Sequence, residues 1–115
     1  MSSKAGKLPK RPTAKSLQFI ANMVKKKFNT LPIAVSYGNP GRGHVGSCSL
    51  DYGQVGPHFE VVIHHRLRDH TAVMGVFEHE LAHCLAWFDP TNRHPHGGSW
   101  GLACSTVYQF LYKVR

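Results

Sequence analysis

The segment His79-Glu80-Leu81-Ala82-His83 constrains this chain more than any other, because it lies inside an apolar run with helical periodicity. Side chains four residues apart share one face of a helix, with Cβ atoms roughly 6 Å apart. Both imidazoles can therefore reach one zinc ion at bond lengths of about 2.0–2.1 Å. Glu80 lies about 100° further around the helix, where it can contact a water molecule on that ion. The H-E-x-x-H pattern is typical of zinc hydrolases in which this glutamate is the general base.

The chain has nine histidines in 115 residues, so the same spacing could arise by chance in a helix whose histidines are simply hydrogen-bonded. The surrounding residues disfavour that alternative, because the predicted helix, from about 71 to 88, is apolar around most of its circumference. Its apolar positions include Val73, Met74, Phe77, Leu81, Cys84, Leu85 and Phe88. Two imidazoles and a carboxylate would be costly to bury there without partners. A bound metal ion removes that cost.

The length indicates a single domain. No apolar run has the length of a transmembrane helix, so no membrane association is expected. Residues 1–13 are basic and lack the apolar core of a signal peptide.

The cysteines, Cys48, Cys84 and Cys104, are odd in number and form no C-x-x-C motif. This pattern favours free thiols and a cytoplasmic location.

The formal net charge is +8, and much of it lies in the N-terminal segment and in the run Lys25-Lys26-Lys27. Such a charge attracts nucleic acid or an anionic substrate, so we expect DNA as a partner of these two basic segments. A solvated tail and a solvated helix face would have the same composition. Nothing in the sequence specifies an oligomeric state.

Periodicity predicts the order α-β-β-β-α-α. Residues 1–12 are predicted to be a disordered basic tail, and residues 13–115 a single domain. A helix over 13–29 would bury Leu17, Ala21 and Val24 and expose Gln18 and Asn22. Strands are predicted over 33–37, 44–50 and 58–67, and the last helix begins near residue 99. We expect an α+β domain in which a three-stranded, mainly antiparallel sheet packs against the motif helix.

A catalytic zinc site usually has three protein ligands, and the downstream candidates are Asp89, His94 and His96. The metzincin pattern would use position 89, but it needs a glycine at position 86, where this chain has Ala86, a strong helix former. A downstream glutamate ligand is excluded because no Asp or Glu follows Asp89. His94 and His96 therefore both remain as candidates.

The motif is followed, thirteen residues after His83, by His96 in the segment Pro95-His96-Gly97-Gly98-Ser99-Trp100. This pair of motifs resembles the SprT-like (Spartan-type) zinc metalloproteases, and weaker similarity extends over residues 13–112. The resemblance implies a zincin-like fold, with His79, His83 and His96 as zinc ligands and Glu80 as the catalytic base. His94 would then be a loop residue, and Asp89 would end the helix or orient a ligand. Larger members carry a zinc ribbon, and we expect this chain to be a minimal, stand-alone form without one.

We expect the protein to be a zinc-dependent metallopeptidase that cleaves peptide bonds with a zinc-activated water and Glu80 as general base. The resemblance implies that its substrates are DNA-associated proteins. Tyr108 and Arg93 are candidates for stabilising the oxyanion. The strand from Phe59 to Leu67 is a candidate edge strand for binding an extended peptide. The alternatives are a non-catalytic, zinc-stabilised module that binds DNA or protein, and an amidase with a non-peptide substrate.

Overall fold

A computed structural model of the protein describes residues 10–89 and 98–114. In these ranges three helices and three strands follow one another in the predicted order. They are α1 (Ala14–Phe28), β1 (Ile33–Gly38), β2 (Gly46–Asp51), β3 (His58–His64), α2 (His70–Ala86) and α3 (Gly98–Val114). The α+β class is confirmed.

The sheet is mixed, with the strand order β1-β3-β2. β2 and β3 form an antiparallel hairpin, whereas β1 pairs with β3 in parallel, with Val35 opposite Val61. The prediction of a mainly antiparallel sheet is therefore wrong for one of the two pairings. The chain reverses direction at each connection, so β1 and β3 run the same way, and β3 pairs with β1 because it lies between β1 and β2. Phe59, Val61 and Ile63 of β3 are almost fully buried, as its alternating pattern predicts.

Helix α1 covers β1 and is capped at both ends. The Thr13 side chain accepts a hydrogen bond from the Ser16 amide, and Asn29 ends the helix in the left-handed conformation with φ 52°. Leu17, Ala21 and Val24 face the core, as predicted. Gln18, predicted to face solvent, instead lies half-buried against β1 and bonds to its backbone.

Helix α2 begins after Asp69, whose carboxylate accepts a hydrogen bond from the Ala72 amide at 2.8 Å. It packs against β2 and β3 on one side and against α3 on the other. Contact on both sides explains why the sequence of α2 is apolar nearly all round. Val107 and Leu111 of α3 are fully buried and complete this core.

The segment before α1 also contacts the domain. Arg11 and Pro12, assigned to the tail from sequence, make hydrogen bonds with the sheet region, and Lys10 forms a bridge with Asp69. The folded part of the chain thus includes residues 10–12, whereas the predicted disorder of 1–9 falls outside the described residues. Within the described ranges, no helix combines the length and the apolar character needed to cross a bilayer.

Candidate metal centre

Helix α2 brings His79 and His83 together on one turn. Their Nε2 atoms are 3.2 Å apart, and the two rings meet edge to face with centroids 4.8 Å apart. Two nitrogen ligands of a tetrahedral zinc ion, each at about 2.05 Å, are about 3.3 Å apart. The spacing of the two imidazole nitrogens therefore fits zinc.

Trp100, near the start of α3, packs against both imidazoles. Its ring centroid lies 5.0 Å from that of His79 and 5.8 Å from that of His83. Its indole N–H points to the His79 backbone carbonyl, with a nitrogen-to-oxygen distance of 3.5 Å. Because α3 also packs along α2, this tryptophan fixes the start of α3 next to the histidine pair.

Glu80 lies on the side of α2 that faces the hairpin and is only 7% exposed. Burial raises the pKa of its carboxyl group to about 7. The backbone of Gly46, at the start of β2, lies close to this carboxyl group. A Cβ atom at that position would overlap Val76 Cγ1 and would lie 3.1 Å from Glu80 Oε2. The absence of a side chain at Gly46 lets β2 approach the motif helix closely.

A cavity of about 590 Å³ opens in front of the motif. One wall is the α2 face that carries His79, Glu80 and His83, and the other is formed by residues 43–48. These hairpin residues were not singled out from the sequence. The signal that could have identified them is Gly46, since a glycine inside a strand often marks a close backbone approach.

β2, not β3, is the strand at the cavity. β3 pairs with β1 on one side and with β2 on the other, so the prediction that Phe59 to Leu67 is a free edge is wrong. The strand also ends at His64, and the backbone turns at Arg66, whose amide donates to the His64 ring. Among the described strands, β2 pairs only with β3, so its other edge has no strand partner, and its residues Gly46, Ser47 and Cys48 line the cavity.

The remaining predicted site residues divide into two groups. His96, His94 and Arg93 lie outside the described residues. Asp89 is exposed, and its amide bonds to the Ala86 carbonyl at 3.1 Å, which places it at the C-terminal end of α2. Tyr108 is 52% exposed, stacks on Tyr112 of α3, and does not line the cavity.

A second group of possible metal ligands lies at the far end of the hairpin. Ligand atoms of Asp51, His58 and Glu60 are within 4.8 Å of one another. Here His58 Nε2 is already paired with the Glu60 carboxylate at 3.1 Å. Hydrogen bonds to the Gly56 carbonyl and to Glu60 raise the pKa of His58, so the cluster is held together by an ion pair when His58 is protonated.

The basic run Lys25-Lys26-Lys27 occupies the exposed last turn of α1. Positive charges are favourable there because the helix C-terminus carries partial negative charge. The helix terminus thus gives a structural reason for this run, and its binding of DNA stays a prediction.

Comparison of the chain with protein-family profiles, curated proteins and solved structures gives no match.

Proposed function

We propose that this protein is a zinc-dependent metallopeptidase of the SprT-like type, with a zincin-like arrangement of sheet and motif helix. One observation carries the proposal: the Nε2 atoms of His79 and His83 lie 3.2 Å apart beside a buried Glu80 on a cavity wall. Burying a carboxylate costs stability unless the group is paired or hydrogen-bonded. A purely structural zinc site would have no need of it.

His79 and His83 would hold the zinc, with His96 as third ligand. Three protein ligands leave a fourth position open, which is the composition of a catalytic rather than a structural zinc site. The position of Trp100 against both imidazoles supports the assignment of His96, because this tryptophan follows His96 by four residues and packs on the histidine pair.

Zinc, when bound, supplies Lewis acidity that polarises a carbonyl group and makes water more acidic. Glu80 then accepts the proton of the attacking water and returns it to the leaving amine. Its place between β2 and the histidine pair holds the carboxylate at the cavity and restricts its contact with bulk water.

The outer edge of β2 would align the substrate. Main-chain N–H and C=O groups of an edge strand can pair with an extended peptide, which gives affinity with little dependence on side chains. Gly46, Ser47 and Cys48 of this strand line the same cavity as Glu80, so a peptide paired with the strand would pass in front of the motif.

DNA-associated proteins are the proposed substrates, with the +8 charge and the exposed lysines of α1 providing attraction to DNA. A reducing cytoplasmic compartment is part of the proposal, since all three cysteines are free thiols.

Zinc content tests the ligand set. We expect one zinc per chain in the purified protein, measured by elemental mass spectrometry. His79→Ala, His83→Ala and His96→Ala should each lower it, because two remaining ligands bind zinc weakly. His94→Ala and His58→Ala are the matched controls and should retain the metal. Loss of zinc in His94→Ala instead of His96→Ala would identify His94 as the third ligand. Loss of zinc only in His58→Ala would place the metal at Asp51, His58 and Glu60.

Cleavage of a DNA-bound protein, with and without chelator, tests the activity. Glu80→Gln should keep zinc but lower the rate at least about 100-fold, since it removes the general base. Glu60→Gln, the same change on β3 outside the cavity, should leave the rate unchanged. Full activity of Glu80→Gln would overturn the mechanism. Zinc binding without any cleavage by the unmodified protein would favour the alternative, a binding module.

A further inference from the structure

Two free cysteines meet at the junction between the hairpin and the motif helix. Cys48 belongs to β2 and Cys84 to α2, and their Sγ atoms are 3.1 Å apart although 36 positions separate them in sequence. Cys84 is 2% exposed, whereas Cys48 is half-buried and lines the cavity. One thiol of the pair is therefore reachable from the cavity and the other lies directly behind it.

The backbone on both sides holds the two sulfurs in place. Cys48 is opposite Val61 in the β2–β3 register, and Cys84 lies within the last turns of α2. A disulfide has its sulfurs 2.03–2.05 Å apart, so bond formation needs a closure of about 1 Å. Side-chain rotation can supply most of that movement without a change of register.

We propose that Cys48 and Cys84 form a peroxide-responsive thiol pair whose oxidised state is a disulfide joining β2 to α2 at the cavity. Cys48 Sγ attacks one oxygen of hydrogen peroxide, the O–O bond breaks, and a sulfenic acid and one water result. Cys84 Sγ then attacks the sulfenic sulfur, the S–O bond breaks, and a second water leaves with the thiol proton. Peroxide gains the two electrons that the thiols lose.

The bond would tie together the two walls of the cavity. Cys48 lies two residues after Gly46, and Cys84 directly follows His83, so the crosslink would fix the spacing between the strand edge and the motif. This inference concerns the two elements and the thiols alone, and it holds whether or not the protein is a peptidase.

Cys104→Ser protein isolates the pair, because it removes the third cysteine, which lies on α3. After reduction and then treatment with stoichiometric hydrogen peroxide, we expect free thiols to fall from two to none. The intact mass should drop by two hydrogen atoms, and digestion should yield a peptide that links positions 48 and 84. The Tm should rise by about 5–15 °C, because the crosslink restricts the unfolded chain. A reductant should reverse every change.

The double variant Cys48→Ser, Cys104→Ser is the matched control. It alters only the half-buried member of the pair, and under the same treatment it should keep its single thiol and its Tm. Three results would overturn the proposal: two thiols that persist in Cys104→Ser, conversion of Cys48 to sulfinic acid without a crosslink, or a disulfide that joins two chains.

Discussion

Gly46 occupies a point where a side chain has no room. A Cβ atom there would overlap Val76 Cγ1 and press on the Glu80 side chain. The φ angle of Gly46 is not in the left-handed region, so the requirement is for space and not for an unusual backbone conformation. The close approach of β2 to α2 thus depends on one missing methyl group.

Gly46→Ala should destabilise the protein by about 1–3 kcal/mol, the usual cost of overpacking a core. Combining it with Val76→Ala should recover part of the loss, because the smaller side chain leaves space for the new methyl group. Urea denaturation of the two single variants and the double variant measures this coupling.

Gly101→Ala is the control for that experiment. This glycine lies in α3, and apart from the helix's own backbone no described residue comes within 4 Å of an added Cβ, so alanine should stabilise the helix by about 0.5–1 kcal/mol. Additive effects of Gly46→Ala and Val76→Ala would argue against a direct clash.

At the scale of elements, Gln18 links α1 to the outer edge of β1. Its side-chain NH₂ group donates to the Ile33 carbonyl at 2.7 Å, and its carbonyl oxygen accepts from the Val35 amide at 2.8 Å. One side chain thus satisfies two main-chain groups that β3 cannot reach. An edge strand with unpaired groups invites pairing with other chains, and here this part of β1 is covered by α1.

Gln18→Leu should cost about 1–3 kcal/mol, because it leaves partly buried main-chain groups without a partner. Hydrogen exchange of the Val35 amide should also accelerate relative to that of neighbouring β1 amides. Asn22→Ala is the control, since Asn22 is exposed and, within the described part of the chain, its side chain bonds only to that of Gln18; its effect should stay within about 0.5 kcal/mol. Unchanged exchange at Val35 in Gln18→Leu would refute the linking role.

At the scale of the whole molecule, Arg11 joins the segment before α1 to the end of the sheet where β1 and β3 finish. Its Nη1 donates to the carbonyls of His65 and Leu67 at 2.8 and 2.7 Å, and the guanidinium lies 4.0 Å above the Tyr37 ring. The Tyr37 hydroxyl donates to the Pro12 carbonyl. These contacts connect the first described residues with the ends of β1 and β3.

Arg11→Ala should lower the free energy of unfolding by about 1–3 kcal/mol, from the loss of charged hydrogen bonds and of the cation–π contact. Arg11→Lys should recover only part of it, because a lysine lacks the planar group that both stacks and donates. Arg68→Ala removes the same charge from an exposed site and should change stability by less than about 0.5 kcal/mol. Equal losses in Arg11→Ala and Arg68→Ala would mean that net charge, and not the contacts, is responsible.

The positions of helices and strands were predictable because they depend on local periodicity. Leu17, Ala21 and Val24 follow the repeat of a helix, and Phe59, Val61 and Ile63 follow that of a strand; all six are buried. The sequence before the apolar run offers Asp69 and Thr71 as caps for α2, and the structure shows that Asp69 is the cap. Strand pairing was not predictable in this way, since alternation within β3 indicates which residues are buried but not which strands lie on either side.

The candidate site shows the same division between local and long-range information. The sequence by itself determined that His79 and His83 share a helix face with Glu80 beside them, because a spacing of four residues fixes that relation within one turn. Only the tertiary structure decided that Gly46 and Cys48 form the opposite wall, that Cys48 meets Cys84, and that Gln18 turns inward. The hydrogen bonds of Gln18 and the contact between the two cysteines join residues 15 to 36 positions apart, and such contacts depend on how the elements pack against one another.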